Sequence, residues 1–228
     1  MILNKTAIIV AGGRGLRMGQ EIPKQFLLLN NLPILMHTIS AFKNADSKTN
    51  IVVALPKDHI EYWKNLCLTH NFTTEHRLVE GGETRFNSVK NALHSIENQG
   101  LVAIHDGVRP LISTELINRA FDEAEKNGNA IPCCDMNDSM RQISDGKNFA
   151  VNRTEYKSIQ TPQTFQTQLI KEAFDKAIGI FFTDDASVFE AHGNTINLIK
   201  GDDFNIKITT TKDLLIAKAI IDYKNLQK

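Results

Sequence analysis

A chain of 228 residues, 42% hydrophobic and 23% charged, has the makeup of a water-soluble globular protein, and its length allows a single domain. Its 26 basic and 26 acidic residues cancel, so it lacks the basic excess of a general nucleic-acid binder. Cys67, Cys133 and Cys134 form neither a metal spacing nor a disulfide framework, no leader peptide precedes the first apolar run, and no stretch approaches the roughly 20 apolar residues that span a bilayer, so a cytoplasmic protein free of membrane is expected.

In chain order, Ala7-Ile8-Ile9-Val10-Ala11 reads as a buried strand ending in Gly12-Gly13. Residues 26–29 form a short extended piece turned by Asn30-Asn31, and Pro33 suits the first turn of a helix reaching about Phe42. A strand over 51–55 closes at Pro56, a helix follows over about 58–70, and a strand near 77–79 ends in Gly81-Gly82. Val89, Leu93 and Ile96 sit at helical spacing in a segment opening near Thr84. The next strand covers 101–105 and ends in Asp106-Gly107; a helix then runs from Ser113 to Asn127, where Gly128 stops it, and residues 129–134 return to strand. Cys133 and Cys134 read as small buried side chains at its end.

Strand-then-helix alternation implies a mostly parallel sheet with helices on both faces. From Asp135 to about Phe165 the pattern turns short, polar and mixed, which reads as a protruding hairpin-like insertion on a single domain spanning residues 1–228. Alternation resumes with helices over about 167–177 and after Thr183, a strand at 195–199 and a last helix near 211–223.

Three segments carry the chemistry. In the first, Gly12 and Gly13 let the backbone approach a phosphate, while Arg14, Arg17 and Lys24 supply cations. The spacing is neither the dinucleotide fingerprint nor a P-loop; taken alone it fits a triphosphate site and a loop of solvated charges equally. The second segment, Gly81-Gly82-Glu83-Thr84-Arg85-Phe86-Asn87-Ser88, again joins a strand to a helix. In the third, Asp106 and Arg109 follow a strand, and an acid there beside phosphates is placed to hold Mg²⁺ through oxygen. All three lie beyond the carboxyl ends of strands, where open parallel sheets bind ligands. The histidines show no metal pattern, and His105 reads as a residue shaping the strand end.

Together with Val151-Asn152-Arg153, Gln160-Thr161-Pro162-Gln163, Thr183-Asp184-Asp185-Ala186-Ser187 and Asn205-Ile206-Lys207-Ile208-Thr209, these segments resemble the 2-C-methyl-D-erythritol 4-phosphate cytidylyltransferase family, in order and over nearly the whole chain. The resemblance implies a Rossmann-like nucleotidyltransferase fold whose arm, at about 135–165, serves a homodimer. It implies an enzyme joining CTP to a small polyol phosphate. Arg17, Lys24 and Lys207 would be catalytic, facing the phosphates, with Asp106 at Mg²⁺. Gly82, Arg85 and Ser88 would lie at the cytidine side beside Gly12 and Gly13. Arg109, Ser139, Arg153 and Thr161 would serve the acceptor, Ser139 and Arg153 from across the dimer.

Three positions depart from the family: Ser139 for a frequent threonine, Asn152 for a frequent aspartate, and Phe204 where an acid is common. A ribitol 5-phosphate cytidylyltransferase shares several of the segments, and a non-catalytic nucleotide-binding module on the same scaffold predicts binding without turnover.

Overall fold

The structure, a computed structural model, describes residues 3–13, 22–97, 99–178 and 182–226. Its elements run β1 (Asn4–Val10), β2 (Leu28–Leu29), β3 (Leu32–Pro33), α1 (Ile34–Ala45), β4 (Asn50–Leu55), α2 (Lys57–Thr69), β5 (Arg77–Glu80), α3 (Arg85–His94), β6 (Gly100–Asp106), α4 (Thr114–Asn127) and β7 (Asn129–Asp135). They continue with β8 (Arg141–Ser144), β9 (Lys147–Ala150), β10 (Lys157–Ile159), β11 (Gln163–Gln166), α5 (Thr167–Lys176), α6 (Asp185–Ala191), β12 (Leu198–Lys200) and α7 (Thr211–Leu226).

Successive residues of a strand face opposite sides of the sheet, and here both sides are apolar. On one face Ala7 and Ile9 of β1, Ile51, Val53 and Leu55 of β4, and Leu101 and Ala103 of β6 pack with Phe42, Trp63 and Phe121 from α1, α2 and α4. The alternate residues Ile8, Val52, Ala54, Val102 and Ile104 pack with Val89, Phe174 and Phe189 from α3, α5 and α6 on the other. Helix ends follow their local signals: the Thr84 hydroxyl accepts the Asn87 N–H, the Ser113 hydroxyl accepts that of Leu116, and Gly128 ends α4 at a φ of 83°.

The eight-stranded sheet runs β10-β7-β11-β6-β1-β4-β5, with β12 also on β7. Strands β6, β1, β4 and β5 are mutually parallel, so their carboxyl ends share one edge. Strand β11 enters antiparallel between β6 and β7. The segment expected as an insertion therefore divides: β8 and β9 form a separate two-stranded hairpin, whereas β10 and β11 belong to the main sheet. Gln163, Thr164 and Phe165 are buried there; the segment reads as polar although it is internal, with the Gln163 side chain held by polar partners at the start of α6.

Strands β10 and β11 pair with β7 out of step. Ile159 faces Cys133, yet Thr164 faces Ala130, so five steps along one strand answer three along the other. The two extra residues make a bulge at residues 160–162, beside the end of β6. Cys133 and Cys134, expected to be buried, are half-buried; by that point β7 is flanked by the short strands β10 and β12 instead of β11. No helix of the described residues is long and apolar enough to cross a membrane.

Candidate active site

Two clefts meet at the carboxyl edge of the parallel strands. The first, of about 200 Å³, is lined by Gly12, Gly13, Lys24, Gly82, Arg85, Ser88, Asp106 and Lys207, among others. The second, of about 310 Å³, is lined by Arg109, Gln160, Thr161, Thr183 and Asp184, and shares Arg85, Asp106 and Lys207 with the first. A larger cavity of about 390 Å³ lies at the opposite edge, around Thr6, Asn50 and Arg77, away from these residues.

Asp106 ends β6, and its side chain is 10% exposed. Lys207 Nζ stands 2.9 Å from one carboxylate oxygen and Arg109 Nε 3.3 Å from the same oxygen; Arg85 Nε lies 3.6 Å from the other. Burial alone pushes this carboxyl up, but Arg85, Lys207 and Arg109 together outweigh it and hold Asp106 well below the usual carboxylate range. The group is therefore an anion at any working pH. Among the described residues no three His, Cys, Asp or Glu converge as a metal cage. One ionised carboxylate at the mouth of a phosphate-sized cleft instead suits Mg²⁺ that brings its other ligands as phosphate oxygens and water.

Each cation is held by a separate element. Lys207 sits between two buried anchors, Asn205 and Ile208, both 0% exposed. The Asn205 side-chain amide donates to the Thr161 carbonyl at 2.8 Å, the Ile208 N–H donates to the Val108 carbonyl at 2.9 Å, and Arg109 Nη1 donates to the Asn205 carbonyl at 2.7 Å. Arg85 opens α3, whose amino end favours anions. Its terminal nitrogens donate to the two Asp185 oxygens at 2.8 and 2.7 Å; burial opposes its charge, but Asp185 overrides that and raises the guanidinium further. Lys24 lies in a 3-10 turn at Lys24–Phe26, pinned by Gln25, whose side-chain amide donates to the Ala11 carbonyl at 2.8 Å.

The second glycine-rich loop is fixed by Ser88. Its hydroxyl donates to the Thr84 carbonyl at 2.9 Å and accepts the Gly82 N–H at 3.0 Å, so Ser88 shapes the loop that borders the first cleft. A Cβ on Gly82 would stand 2.3 Å from Asn87 Cβ, closer than side chains approach, which explains a glycine there.

The residues expected on the acceptor side divide. Arg109 and Thr161 line the second cleft. Ser139 and Arg153 are exposed on the arm, and Arg153 donates to the Asn137 carbonyl; neither lines either of these two clefts. Arg14 and Arg17 lie outside the described residues.

His105, expected to shape the strand end, and two glutamines given no role of their own from the sequence also build the site. His105 is fully buried and neutral, its imidazole pushed down to about 4 chiefly by burial. Gln163 accepts the Ala186 N–H at 2.7 Å and donates to Asp184 at 2.8 Å, which seats the start of α6 against β11. Gln160 accepts the Asp202 N–H at 3.2 Å and donates to its carbonyl at 2.9 Å. Polar residues beside a proline in an otherwise unpatterned segment were the available signal. Phe204 turns toward α7, with Lys224 Nζ 5.4 Å from its ring centre and Tyr223 at 6.3 Å.

The family model described as IspD: 2-C-methyl-D-erythritol 4-phosphate cytidylyltransferase matches residues 5–223. A protein of that name from Bacteroides thetaiotaomicron is 47% identical over 96% of this chain and 100% of its own. One from Porphyromonas gingivalis is 49% identical over 94% of this chain and 96% of its own. Among solved structures, the 4-diphosphocytidyl-2C-methyl-D-erythritol synthase of Anaerococcus prevotii superposes with a TM-score of 0.83 at 30% identity, covering 96% of this chain and 99% of its own. The Thermus thermophilus 2-C-methyl-D-erythritol 4-phosphate cytidylyltransferase gives 0.80 at 28%, covering 97% and 100%. With the expected α/β architecture in place and the match running almost end to end, the chain belongs to the 2-C-methyl-D-erythritol 4-phosphate cytidylyltransferase family.

Proposed function

We propose that this enzyme transfers the cytidylyl group of CTP to 2-C-methyl-D-erythritol 4-phosphate, giving 4-diphosphocytidyl-2-C-methyl-D-erythritol and pyrophosphate, a step in isoprenoid precursor synthesis by the non-mevalonate route. Family membership supports the activity. The observation that carries the chemistry is the meeting of two clefts at Asp106, Arg85 and Lys207.

In this reading CTP occupies the first cleft, its phosphates over Gly12 and Gly13 and against Lys24, with its base toward the Gly82 loop. The acceptor phosphate occupies the second, facing Arg109 and Lys207. An acceptor phosphate oxygen, already ionised, attacks the α-phosphorus in line; the new P–O bond forms as the bond to the bridging oxygen of the pyrophosphate breaks, and no proton must move. The two anions repel strongly, so catalysis reduces to holding them together and stabilising the charge that develops. Lys24 and Lys207 supply that stabilisation on either side of the reacting phosphorus, joined by Arg17 from the first loop. Asp106 would hold Mg²⁺, which when bound neutralises and orients the triphosphate.

The working unit in this reading is a single domain of 1–228 acting as a cytoplasmic homodimer. The arm hairpin has Ile143 and Phe149 exposed, which supports a contact with a second copy, and Ser139 and Arg153 on either side of it would reach that copy's acceptor cleft. Pyrophosphate release with CTP and Mg²⁺ tests the proposal, comparing methylerythritol phosphate with ribitol 5-phosphate. Strong preference for the former is expected. Preference for ribitol 5-phosphate would overturn the acceptor, and CTP binding without turnover on either would overturn the enzymatic reading.

A further inference from the structure

Asp185 is the first residue of α6 and is 0% exposed. It is not the helix cap: Asp184 accepts the Ser187 N–H and forms a capping box with it. The Asp185 carboxylate is spent wholly on Arg85, 100 positions away, through two parallel bonds of 2.8 and 2.7 Å. That is the fork-to-fork geometry that fixes a guanidinium in direction as well as distance.

The direction matters because of what Arg85 would otherwise face. Only its Nε points toward Asp106, at 3.6 Å, while Lys207 and Arg109 already stand at 2.9 and 3.3 Å. A guanidinium released from Asp185 has Asp106 and Asp184 in reach, and pairing with Asp106 would occupy the oxygen that Lys207 and Arg109 leave open. The charge balance points the same way. With Asp185 ionised, its charge offsets part of the Arg85 field at Asp106, so the pair repels an arriving cation less than Arg85 alone would.

We propose that Asp185 is a positioning residue that holds Arg85 off Asp106, leaving the Asp106 carboxylate available to a divalent cation. The inference rests on the reading of Asp106 as the metal-holding residue. It predicts opposite effects on two ligands. Removing the Asp185 charge makes the site more positive, which disfavours a metal ion and favours a free triphosphate. A simple pin between α3 and α6 would weaken both together.

The test uses the full-length protein with Mn²⁺ and CTP, following free Mn²⁺ by its electron paramagnetic resonance signal, and calorimetric titration of CTP in the presence of a chelator. In D185N, Mn²⁺ affinity in the presence of CTP should fall at least about tenfold, while CTP affinity without metal stays equal or rises. Adding R85Q to D185N should restore Mn²⁺ affinity. A parallel loss of both affinities, or unchanged Mn²⁺ affinity with only a lower Tm, would overturn the proposal. If D185N does not fold, R85Q alone decides: it should bind Mn²⁺ at least as well as the parent, and a loss would sink the idea. The D106N variant separates the underlying reading, since unchanged Mn²⁺ binding there removes Asp106 as the metal residue whatever D185N does.

Discussion

The Thr161 hydroxyl stands 3.0 Å from Nδ1 of His105, and the same oxygen accepts the Asp106 N–H at 3.1 Å. Nε2 of His105 lies 3.2 Å from the Arg109 carbonyl, which can only accept, so Nε2 carries the proton and Nδ1 accepts from Thr161. Every donor in this chain thus has an acceptor, and the neutral imidazole ties the bulge at residues 160–162 to the strand end bearing Asp106.

The buried imidazole makes stability depend on pH. His105 protonates near 4 in the folded protein against 6.5 for an ordinary histidine. The unfolded chain therefore takes up this proton first. Stability is complete above about pH 6.5 and falls as the pH drops toward 4, by about 3 kcal/mol in all. Urea unfolding across that window should show the decline, and H105Q should lack it. Asp106 acts with the same sign but only below the ordinary carboxylate range, so the two windows separate. Constant stability between pH 6.5 and 5 would show that His105 titrates normally.

Thr161→Val removes the acceptor for one buried N–H and the donor to His105. It should cost about 2–4 kcal/mol in denaturant unfolding and lower kcat by displacing Asp106. Thr161→Ser keeps the hydroxyl and should recover most of both losses. Equal behaviour of the two variants would mean that the hydroxyl is unimportant.

Lys24→Ala should lower kcat by about 10²–10³ with a smaller change in KM for CTP, as expected of a group that grips the transferring phosphates most tightly in the transition state. Steady-state pyrophosphate release checks this. A near-normal kcat would remove Lys24 from the phosphate site.

Gly82→Ala must displace Asn87 or the loop, given the 2.3 Å separation a Cβ would have. Overpacking of this kind costs about 1–3 kcal/mol. Calorimetry should find weaker CTP binding with little change for the acceptor.

Arg153→Ala should raise KM for the polyol phosphate and leave KM for CTP alone. Because Arg153 lines neither cleft of its own chain, heterodimers of Arg153→Ala and Lys24→Ala subunits test its placement. If Arg153 acts across the dimer, both defects fall in one active site and the other stays intact. If it acts within its own chain, every active site carries one defect.

The parallel core was legible because β1, β4 and β6 are apolar on both faces, and β1 and β6 end beside glycine or aspartate, which marks both the strand and the edge where ligands bind. Asp106, Lys207 and Arg85 converge there from segments the sequence already singled out. Strand β11 was hidden because four residues, Gln163–Gln166, hold their place through partners in β6, β7 and α6 rather than through any local pattern. The resemblance implied ligand-side roles for Ser88 and Thr161, and both line the clefts; that their hydroxyls also shape the cleft walls could be seen only in the fold. The burial of Asp185 against Arg85 is a relationship across 100 positions, invisible to spacing.

Lys207 is held between Asn205 and Ile208, and Ile208 packs in a small cluster with Val108, Leu111 and Ala217 of α7. The lysine is therefore aimed at Asp106 by residues that come late in translation. At about 5–20 residues per second, the sheet and the first glycine loop emerge seconds before the helix that secures this cation. A chain whose α7 has not packed would hold Lys207 through the Asn205 amide and the Ile208 N–H alone, with its aim at Asp106 loosened. The packing of α7 thereby governs how firmly a cation outside that helix is held.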